Sequence, residues 1–491
     1  MQPIIKKAEY EKYLKNHQDF IDDHKIWQQI KAHIQPDKTK VRAIIQKSLA
    51  IKTLTPDETA TLINVQDPDL WQEMFVAADE IKKKVYDNRI VTFAPLYCSN
   101  HCLNNCLYCG FRRDNKDLKR NQLTLEQVRA ETQAIAGKIG HKRIIAVYGE
   151  HPSSDIHYMV DTIKTIYSVK EKTKHGFGNI RRVNVNAAPM SVADLKLLKK
   201  AGIGTYQVFQ ETYHHETYQK MHPQDTIKGN YQWRLYALHR AFEAGIDDVA
   251  IGALFGLYDW RFEVMGLLYH AIELENKFGV GPHTISFPRL TPAQNAPASH
   301  PQHEVSDTDF KKLVTIIRLS VPYTGMIITA REKDQIKKQA LSLGCTQTDA
   351  STKIGIGDYA KLAKKQKMNS QQFTIGDPRD LDTVVRELAE MGYITSFCTS
   401  GYRCGRTGEK IMDMLKCGQE SHFCKINAIL TFREWLDDFA SPQTKKIGEK
   451  LIAQEIAEVK AQVPSKYSPE LYASMLNNYE KIKSGTRDLY I

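Results

Sequence analysis

The sequence predicts an α/β protein built around a (β/α)₈ barrel of the TIM type, with helices before the barrel and a helical domain after it. Eight short apolar runs alternate with segments of helical periodicity over about 260 residues. The first 90 residues carry helical signals, and the alternation stops after Gly357. These observations divide the chain into an N-terminal helical region at 1–88, a barrel at 89–356 and a C-terminal helical domain at 357–491.

The N-terminal region contains a clear helix start. Thr55 is a good cap, Pro56 takes the first helical position, and Asp57 and Glu58 place acidic groups in the first turn. The rest of this region lacks the alternation that a strand would show, so it is predicted to be helical.

The barrel prediction depends on eight strand candidates. They lie at 91–97, 143–149, 183–187, 205–210, 248–255, 284–288, 325–329 and 345–350. Predicted helices between them include 123–138, 191–201, 232–245 and 260–278. A doubly wound open sheet is the alternative. In a barrel the reactive groups follow the strands at the C-terminal mouth, so the candidate site residues are expected at strand ends.

Composition excludes some classes of protein and leaves others open. With 42% hydrophobic and 25% charged residues, the chain is expected to be globular rather than disordered. The net charge of +11 fits either a pocket for an anion or a nucleic-acid surface and selects neither. No run of 18 apolar residues occurs, so we expect no membrane span. Nine cysteines, mostly in two clusters and without a visible secretory signal, indicate metal ligands in a reducing cytoplasm.

The first cysteine cluster directly follows the first predicted strand. Cys102, Cys106 and Cys109 have CxxxCxxC spacing, which lets three thiolates hold three irons of a cubane and leaves the fourth iron open to a small molecule. A structural zinc site is the alternative, with Cys98 or His101 as its fourth ligand.

CxxxCxxC with an aromatic residue, Tyr108, before the last cysteine resembles the radical S-adenosylmethionine (SAM) enzymes. Further stretches resemble the radical SAM tyrosine lyases that mature [FeFe]-hydrogenase. These stretches lie at 94–114, 148–152, 182–189, 209–214, 285–289 and 321–326. A close relative of that family, the 2-iminoacetate (dehydroglycine) synthase of thiazole synthesis, has the same barrel and lacks the C-terminal cysteines.

The resemblance implies a [4Fe-4S] cluster and SAM as cofactors, with SAM chelating the open iron through its amino and carboxylate groups. Cys102, Cys106 and Cys109 would hold the cluster, and Tyr108 would contribute to cofactor binding. Gly149 and Glu150, after the second strand, would contact the SAM amino group. The alternative for Glu150 is an exposed loop acid.

The substrate implied by the resemblance is L-tyrosine. Arg331, with Thr329 at the end of the seventh strand, would clamp the tyrosine carboxylate, and an arginine fork suits that task. The alternative for Arg331 is a surface salt bridge. Glu211, after the fourth strand, is a further candidate for the catalytic pocket.

A second cysteine cluster lies in the C-terminal domain. It contains Cys398, Cys404, Cys417 and Cys424. Cys398 and Cys424 match the first and third positions of a CxxC…C motif that holds a second cluster in the maturase, but Gly401 stands at the second position. We predict a second iron–sulfur site with Cys398, Cys424 and Cys404 as ligands, with Cys417 as the alternative to Cys404. A cluster-free tail is the other alternative. The resemblance also implies that His270 holds an extra iron there, the alternative being a packed helix residue.

The resemblance therefore implies a lyase that cleaves the Cα–Cβ bond of L-tyrosine to p-cresol and dehydroglycine. The second site would convert dehydroglycine to iron-bound CO and cyanide for H-cluster assembly, with flavodoxin or ferredoxin as reductant and H-cluster maturation proteins as partners. The nearest alternative is a 2-iminoacetate synthase that stops at dehydroglycine. The remaining alternatives are an inactive assembly protein and a nucleic-acid-modifying protein. The absence of an RNA-binding motif disfavours a nucleic-acid partner.

Overall fold

The computed structural model describes residues 4–361 and 367–491. The N-terminal region is helical, as predicted: α1 (Ala8–Glu11), α2 (Asp23–Ala32), α3 (Lys38–Leu49), α4 (Pro56–Ile63) and α5 (Pro68–Tyr86). Thr55 and Glu58 form a capping box in which each side chain accepts a hydrogen bond from the other residue's backbone N–H. The helix start predicted at Thr55 is confirmed.

Eight parallel strands form a closed barrel. They are β1 (Arg89–Ser99), β2 (Arg143–Tyr148), β3 (Arg182–Asn186), β4 (Tyr206–Gln207), β5 (Val249–Gly252), β6 (Thr284–Ser286), β7 (Gly325–Ile328) and β8 (Gln347–Asp349). Each strand pairs with the next in chain order, and β8 pairs back onto β1 with Val91 opposite Gln347. This closure confirms the predicted (β/α)₈ barrel and shows that the open sheet is wrong.

Helices follow the strands and cover the barrel. They are α6 (Leu125–Gln133), α7 (Ile156–Ser168), α8 (Val192–Lys200), α9 (His215–Met221), α10 (Tyr231–Leu235), α11 (Ala237–Glu243), α12 (Trp260–Phe278), α13 (Asp307–Ser320) and α14 (Asp334–Ser342). The helix predicted at 232–245 is divided in two at Tyr236. The helix predicted at 123–138 continues beyond α6 as a π-helical turn, Ala134–Ile139.

The C-terminal region adds a strand to the sheet. Strand β9 (Ile394–Ser396) pairs in parallel with the start of β1, with Ile394 opposite Arg89. The helices here are α15 (Leu381–Glu390), α16 (Ser400–Arg403), α17 (Gly408–Lys416), α18 (Glu420–Asp438), α19 (Pro442–Ala461) and α20 (Pro469–Lys483). Helix α18 packs against β1, β9 and α5. The described part of the chain contains no helix with the length and apolar character needed to cross a membrane.

The barrel interior holds two cavities, one at each end. Side chains alternate along a strand, so residues two apart point to the same side. On β1 and β2 the earlier residues, Val91 and Arg143, line a cavity at the N-terminal ends of the strands, which we call the lower cavity. Two positions later, Phe93 and Ile145 line the mouth cavity at the C-terminal ends. Together with Ile327 they form a buried apolar layer, the floor of the mouth cavity.

Candidate active site at the barrel mouth

The mouth cavity has a volume of about 220 Å³ and gathers the residues that the sequence predicted for the first cluster, SAM and tyrosine. They are Cys102, Cys106, Tyr108, Cys109, Gly149, Glu150, Glu211, Thr329 and Arg331. They arrive on loops after β1, β2, β4 and β7, because the C-terminal ends of parallel barrel strands meet at one face.

The three cysteines of the CxxxCxxC loop line the cavity without a fourth zinc ligand. The thiol of Cys98 is buried outside the cavity, with its Sγ 3.8 Å from the Leu96 carbonyl oxygen. The ring of His101 contacts the ring of His151 and also lies outside the cavity. Among residues 4–361 and 367–491, no three His, Cys, Asp or Glu side chains are arranged around a single-ion site. The zinc alternative therefore lacks its ligand set.

The donor set fits a cubane with one open iron. Burial raises the pKa of Cys102 to about 11 and the pKa of Cys106 to about 12, so the thiolates need a positive partner such as iron. The Phe111 backbone N–H donates to Cys109 Sγ at 3.4 Å, and the Gln372 amide donates to the same sulfur at 3.6 Å. Such N–H contacts to sulfur stabilise a cluster and tune its potential.

Gly149 and Glu150 form a cradle beside the cysteine loop. A Cβ on Gly149 would lie 2.1 Å from the His101 carbonyl oxygen, so only glycine permits this approach of the two backbones. Glu150 accepts a hydrogen bond from the Asn104 amide, and its other oxygen, Oε1, is buried without a partner. Burial raises the pKa of Glu150 above its usual value. An unpartnered buried carboxylate oxygen fits a cationic ligand group, and Glu150 is not an exposed loop acid.

Arg331 presents a guanidinium without a carboxylate partner. Its Nη1 donates to Thr291 Oγ1 at 3.0 Å, and its Cζ lies 3.4 Å from the centre of the Phe373 ring. Burial lowers the pKa of Arg331, and it makes no salt bridge with a carboxylate in the described part of the chain. A partly desolvated arginine held in place by a ring suits a ligand carboxylate.

Glu211 is paired with two cations that the sequence did not single out. Its Oε1 lies 2.8 Å from Lys228 Nζ and 3.4 Å from Arg234 Nη2. Burial raises the pKa of Glu211, but these two cations outweigh that effect and hold the pKa below its usual value. The backbone of Glu211 has φ +72°, a left-handed conformation rare outside glycine. Strain of this kind at a cavity is typical of functional positions.

The lower cavity, about 70 Å³, contains two of the C-terminal cysteines. Cys398, Gly401 and Cys424 line it, whereas Cys404 ends the short helix α16 and is exposed. Cys417 is also exposed. The structure therefore does not bring the predicted ligands Cys398, Cys404 and Cys424 together, because α16 turns the Cys404 side chain toward solvent. Two thiols hold a cubane poorly, so the residues present do not fit the second cluster.

His270 lies away from those cysteines. It is buried on α12, with Nδ1 2.9 Å from the Tyr213 hydroxyl and its ring against Phe20. The histidine that lines the lower cavity is His283, just before β6, with Nδ1 2.7 Å from Asp248 Oδ2. The sequence signal for it was weak, because 283 immediately precedes the predicted strand at 284–288.

Comparisons with known proteins show the family of the chain. Residues 96–264 match the radical SAM superfamily, and residues 286–394 match the biotin and thiamin synthesis associated domain. A crystal structure of HydG, a maturase of the [FeFe]-hydrogenase, is 47% identical, covers 96% of this chain and all of that one, and superposes with a TM-score of 0.89. HydG from Carboxydothermus hydrogenoformans is 36% identical over 94% of this chain and 97% of its own, with a TM-score of 0.76. The 2-iminoacetate synthase of Salmonella typhimurium is 27% identical over 74% of this chain and 92% of its own. By these similarities the chain belongs to the HydG family of radical SAM enzymes.

Proposed function

We propose that this protein is a radical SAM lyase that cleaves the Cα–Cβ bond of L-tyrosine to p-cresol and dehydroglycine. The observation that carries the proposal is the presence, in one cavity, of three clustered cysteines, a carboxylate oxygen without a partner and a guanidinium without a counterion. When bound, a [4Fe-4S] cluster and SAM would supply the 5′-deoxyadenosyl radical.

The residues of the mouth cavity take separate tasks in this proposal. Cys102, Cys106 and Cys109 hold the cluster, and Glu150 accepts the SAM ammonium. Arg331 binds the tyrosine carboxylate. The apolar floor of the cavity limits the access of water to the reacting carbon.

The walls of the cavity support an aromatic substrate with a hydroxyl group. The rings of Phe209 and Phe373 line the cavity. Gln207, on β4, also lines it, and its Nε2 is buried without a hydrogen-bond partner. A buried polar group of this kind favours a substrate that pairs with it over one that leaves it unpaired, which favours tyrosine over phenylalanine.

Glu150→Gln is expected to weaken SAM binding. The amide keeps the size of the side chain and removes its charge, so the hydrogen bond to the SAM ammonium loses about 1.5–3 kcal/mol and the KM for SAM rises roughly tenfold to a hundredfold. Formation of 5′-deoxyadenosine at varied SAM concentration measures this. Glu216→Gln, on the exposed face of α9, is the matched control and leaves the KM unchanged. An unchanged KM in Glu150→Gln would remove the assigned role.

Arg331→Lys is expected to raise the KM for tyrosine. Lysine keeps the charge but loses the planar fork and the stacking on Phe373, so kcat/KM for tyrosine falls roughly tenfold to a hundredfold. SAM cleavage without tyrosine should stay near the wild-type rate, which separates this effect from cluster loss. Arg261→Lys, at an exposed arginine paired with Asp259, serves as control. Equal losses in both variants would contradict a carboxylate clamp.

The proposal is tested by anaerobic reconstitution with iron and sulfide, followed by SAM, dithionite and tyrosine. The assay measures p-cresol, CO and cyanide together. Formation of p-cresol supports the lyase. Formation of 5′-deoxyadenosine without p-cresol would show radical chemistry and exclude tyrosine as the substrate.

The later stage, conversion of dehydroglycine to iron-bound CO and cyanide, requires the second cluster. Gly401 leaves only two thiols in the lower cavity, and this observation favours release of dehydroglycine, as in a 2-iminoacetate synthase. We therefore expect p-cresol without CO or cyanide. A reductant such as flavodoxin or ferredoxin is the expected partner in the cytoplasm, and H-cluster maturation proteins would be partners only if both diatomic products form.

A further inference from the structure

We propose that the lower cavity binds a small oxyanion, of the size of a two-carbon carboxylate, where the resemblance implies a second iron–sulfur cluster. The site lies between the N-terminal ends of β1, β2 and β8 and the C-terminal helices α16 to α18. It is separated from the mouth cavity by the apolar layer of Phe93, Ile145 and Ile327. The inference does not depend on the proposed lyase activity.

Three arginines line this cavity: Arg89, Arg143 and Arg406. Arg143 is 9% exposed and Arg406 is 8% exposed, so both guanidinium groups are nearly removed from water. The Nε atoms of Arg89 and Arg143 are buried without a hydrogen-bond partner, whereas Arg406 Nε faces Glu420. Buried N–H donors in native proteins are almost always paired, so these donors point to a ligand.

The charges around the cavity do not balance. Glu420 is paired with Arg406, with Oε2 3.4 Å from Nε. Asp248 is paired with His283. Neither Arg89 nor Arg143 forms a salt bridge with any carboxylate in the described ranges 4–361 and 367–491. Buried charges are normally paired, so a bound anion would supply the missing counterion.

The arginines are held in place for this task. Arg143 Nη2 donates to the Cys398 carbonyl oxygen at 3.1 Å, and Arg406 Nη2 donates to Ser400 Oγ at 2.8 Å. These contacts fix both guanidinium planes before a ligand arrives. A planar guanidinium matches a carboxylate or phosphate edge through two parallel N–H bonds, and the small cavity limits the anion to a few heavy atoms.

The cysteines explain why an anion rather than a cluster fits. Cys398 and Cys424 are the two cysteines that line the cavity, and Gly401 occupies the second position of the CxxC…C motif, where a cysteine is missing. A Cβ built on Gly401 meets only the Arg406 carbonyl oxygen, at 3.5 Å, which is an ordinary contact. The backbone at Gly401 therefore has room for a Cβ, and the chain provides no side chain there.

The first test measures metal content and anion binding on the full chain, reconstituted anaerobically with iron and sulfide. We expect about four irons per chain, the content of one cubane. Calorimetry with glyoxylate and with inorganic phosphate, at matched ionic strength, identifies the anion class.

Three variants locate the binding site. Arg143→Gln should weaken the binding of the anion at least about tenfold. Arg182 stacks on the lining residue Tyr402 but does not itself line the cavity, so Arg182→Gln should retain binding. Arg331→Lys should also retain it, which excludes the mouth cavity as the binding site.

The second test restores the missing ligand with Gly401→Cys. The iron content should rise to about eight per chain, and anion binding should be lost as the second cluster fills the cavity. This gain cannot arise from misfolding. The inference is overturned if the unaltered chain takes up about eight irons, if neither glyoxylate nor phosphate binds, or if Arg182→Gln weakens binding as much as Arg143→Gln.

Discussion

Cys106→Ala is expected to abolish p-cresol and 5′-deoxyadenosine formation, a fall of at least about 10³-fold, because the cluster loses one of its three protein ligands. Cys106 lines the mouth cavity with Cys102 and Cys109, and each of them holds one iron in our proposal. The iron content of the reconstituted protein and its anaerobic activity measure the effect together.

The matched control for that variant is Cys98→Ala. Cys98 lies on the same stretch of chain, is buried, and stays outside the cavity. Its loss should leave iron content and activity near wild type and cost only packing. Wild-type iron in Cys106→Ala, or iron loss of equal size in Cys98→Ala, would contradict the ligand assignment.

Glu434→Ala is expected to lower the free energy of unfolding by about 3–5 kcal/mol, since breaking a buried ion pair leaves an uncompensated charge. Glu434, on α18, is 1% exposed and contacts Arg181 and Lys142 of the barrel. Arg181 keeps a second partner, Asp488, so Lys142 is the cation left alone. Urea unfolding monitored by far-UV circular dichroism measures the change.

The Glu434 carboxyl also predicts that the free energy of unfolding depends on pH. Although burial opposes ionisation, Arg181 and Lys142 hold the pKa of Glu434 at about 2. A carboxyl with a depressed pKa stabilises the fold at pH above its unfolded value, and this contribution is lost as the pH falls from about 4.5 toward 2. The stability difference between wild type and Glu434→Ala should therefore shrink over that range. Glu449→Ala removes an exposed partner of Arg433, which keeps Asp437, and should cost less than about 1 kcal/mol. A similar cost for both variants would contradict the buried network.

The mouth of the barrel could be predicted from the sequence because its residues obey a rule of topology. Cys102, Glu150, Glu211 and Arg331 lie far apart in the chain, yet each follows a barrel strand. The alternation of apolar runs and helical segments fixed the strand order, and parallel strands bring their C-terminal ends to one face. The CxxxCxxC spacing then identified which loop carries the cluster.

The lower cavity could not be predicted in the same way. Strand β9 has three residues, too few for a periodic signal, and its partner on β1 is about 300 residues earlier. The sequence analysis selected His270 and not His283, and only the packing of α12 shows that His270 turns to Tyr213. Phe373, which supports Arg331, enters the mouth from beyond the predicted end of the barrel at 356. Each of these depends on contacts between distant segments.

The pairing of β9 with β1 bears on how a chain of this kind can change over evolutionary time. A chain without a second cluster would lose one reason to keep the C-terminal region. Here the region covers the edge of β1 and anchors α18 in the barrel wall through Glu434. Deleting the region would expose the barrel wall and leave the buried cations Lys142 and Arg181 without Glu434 as a partner. The stability of the barrel would therefore retain the C-terminal region even in a chain whose second cluster had been lost.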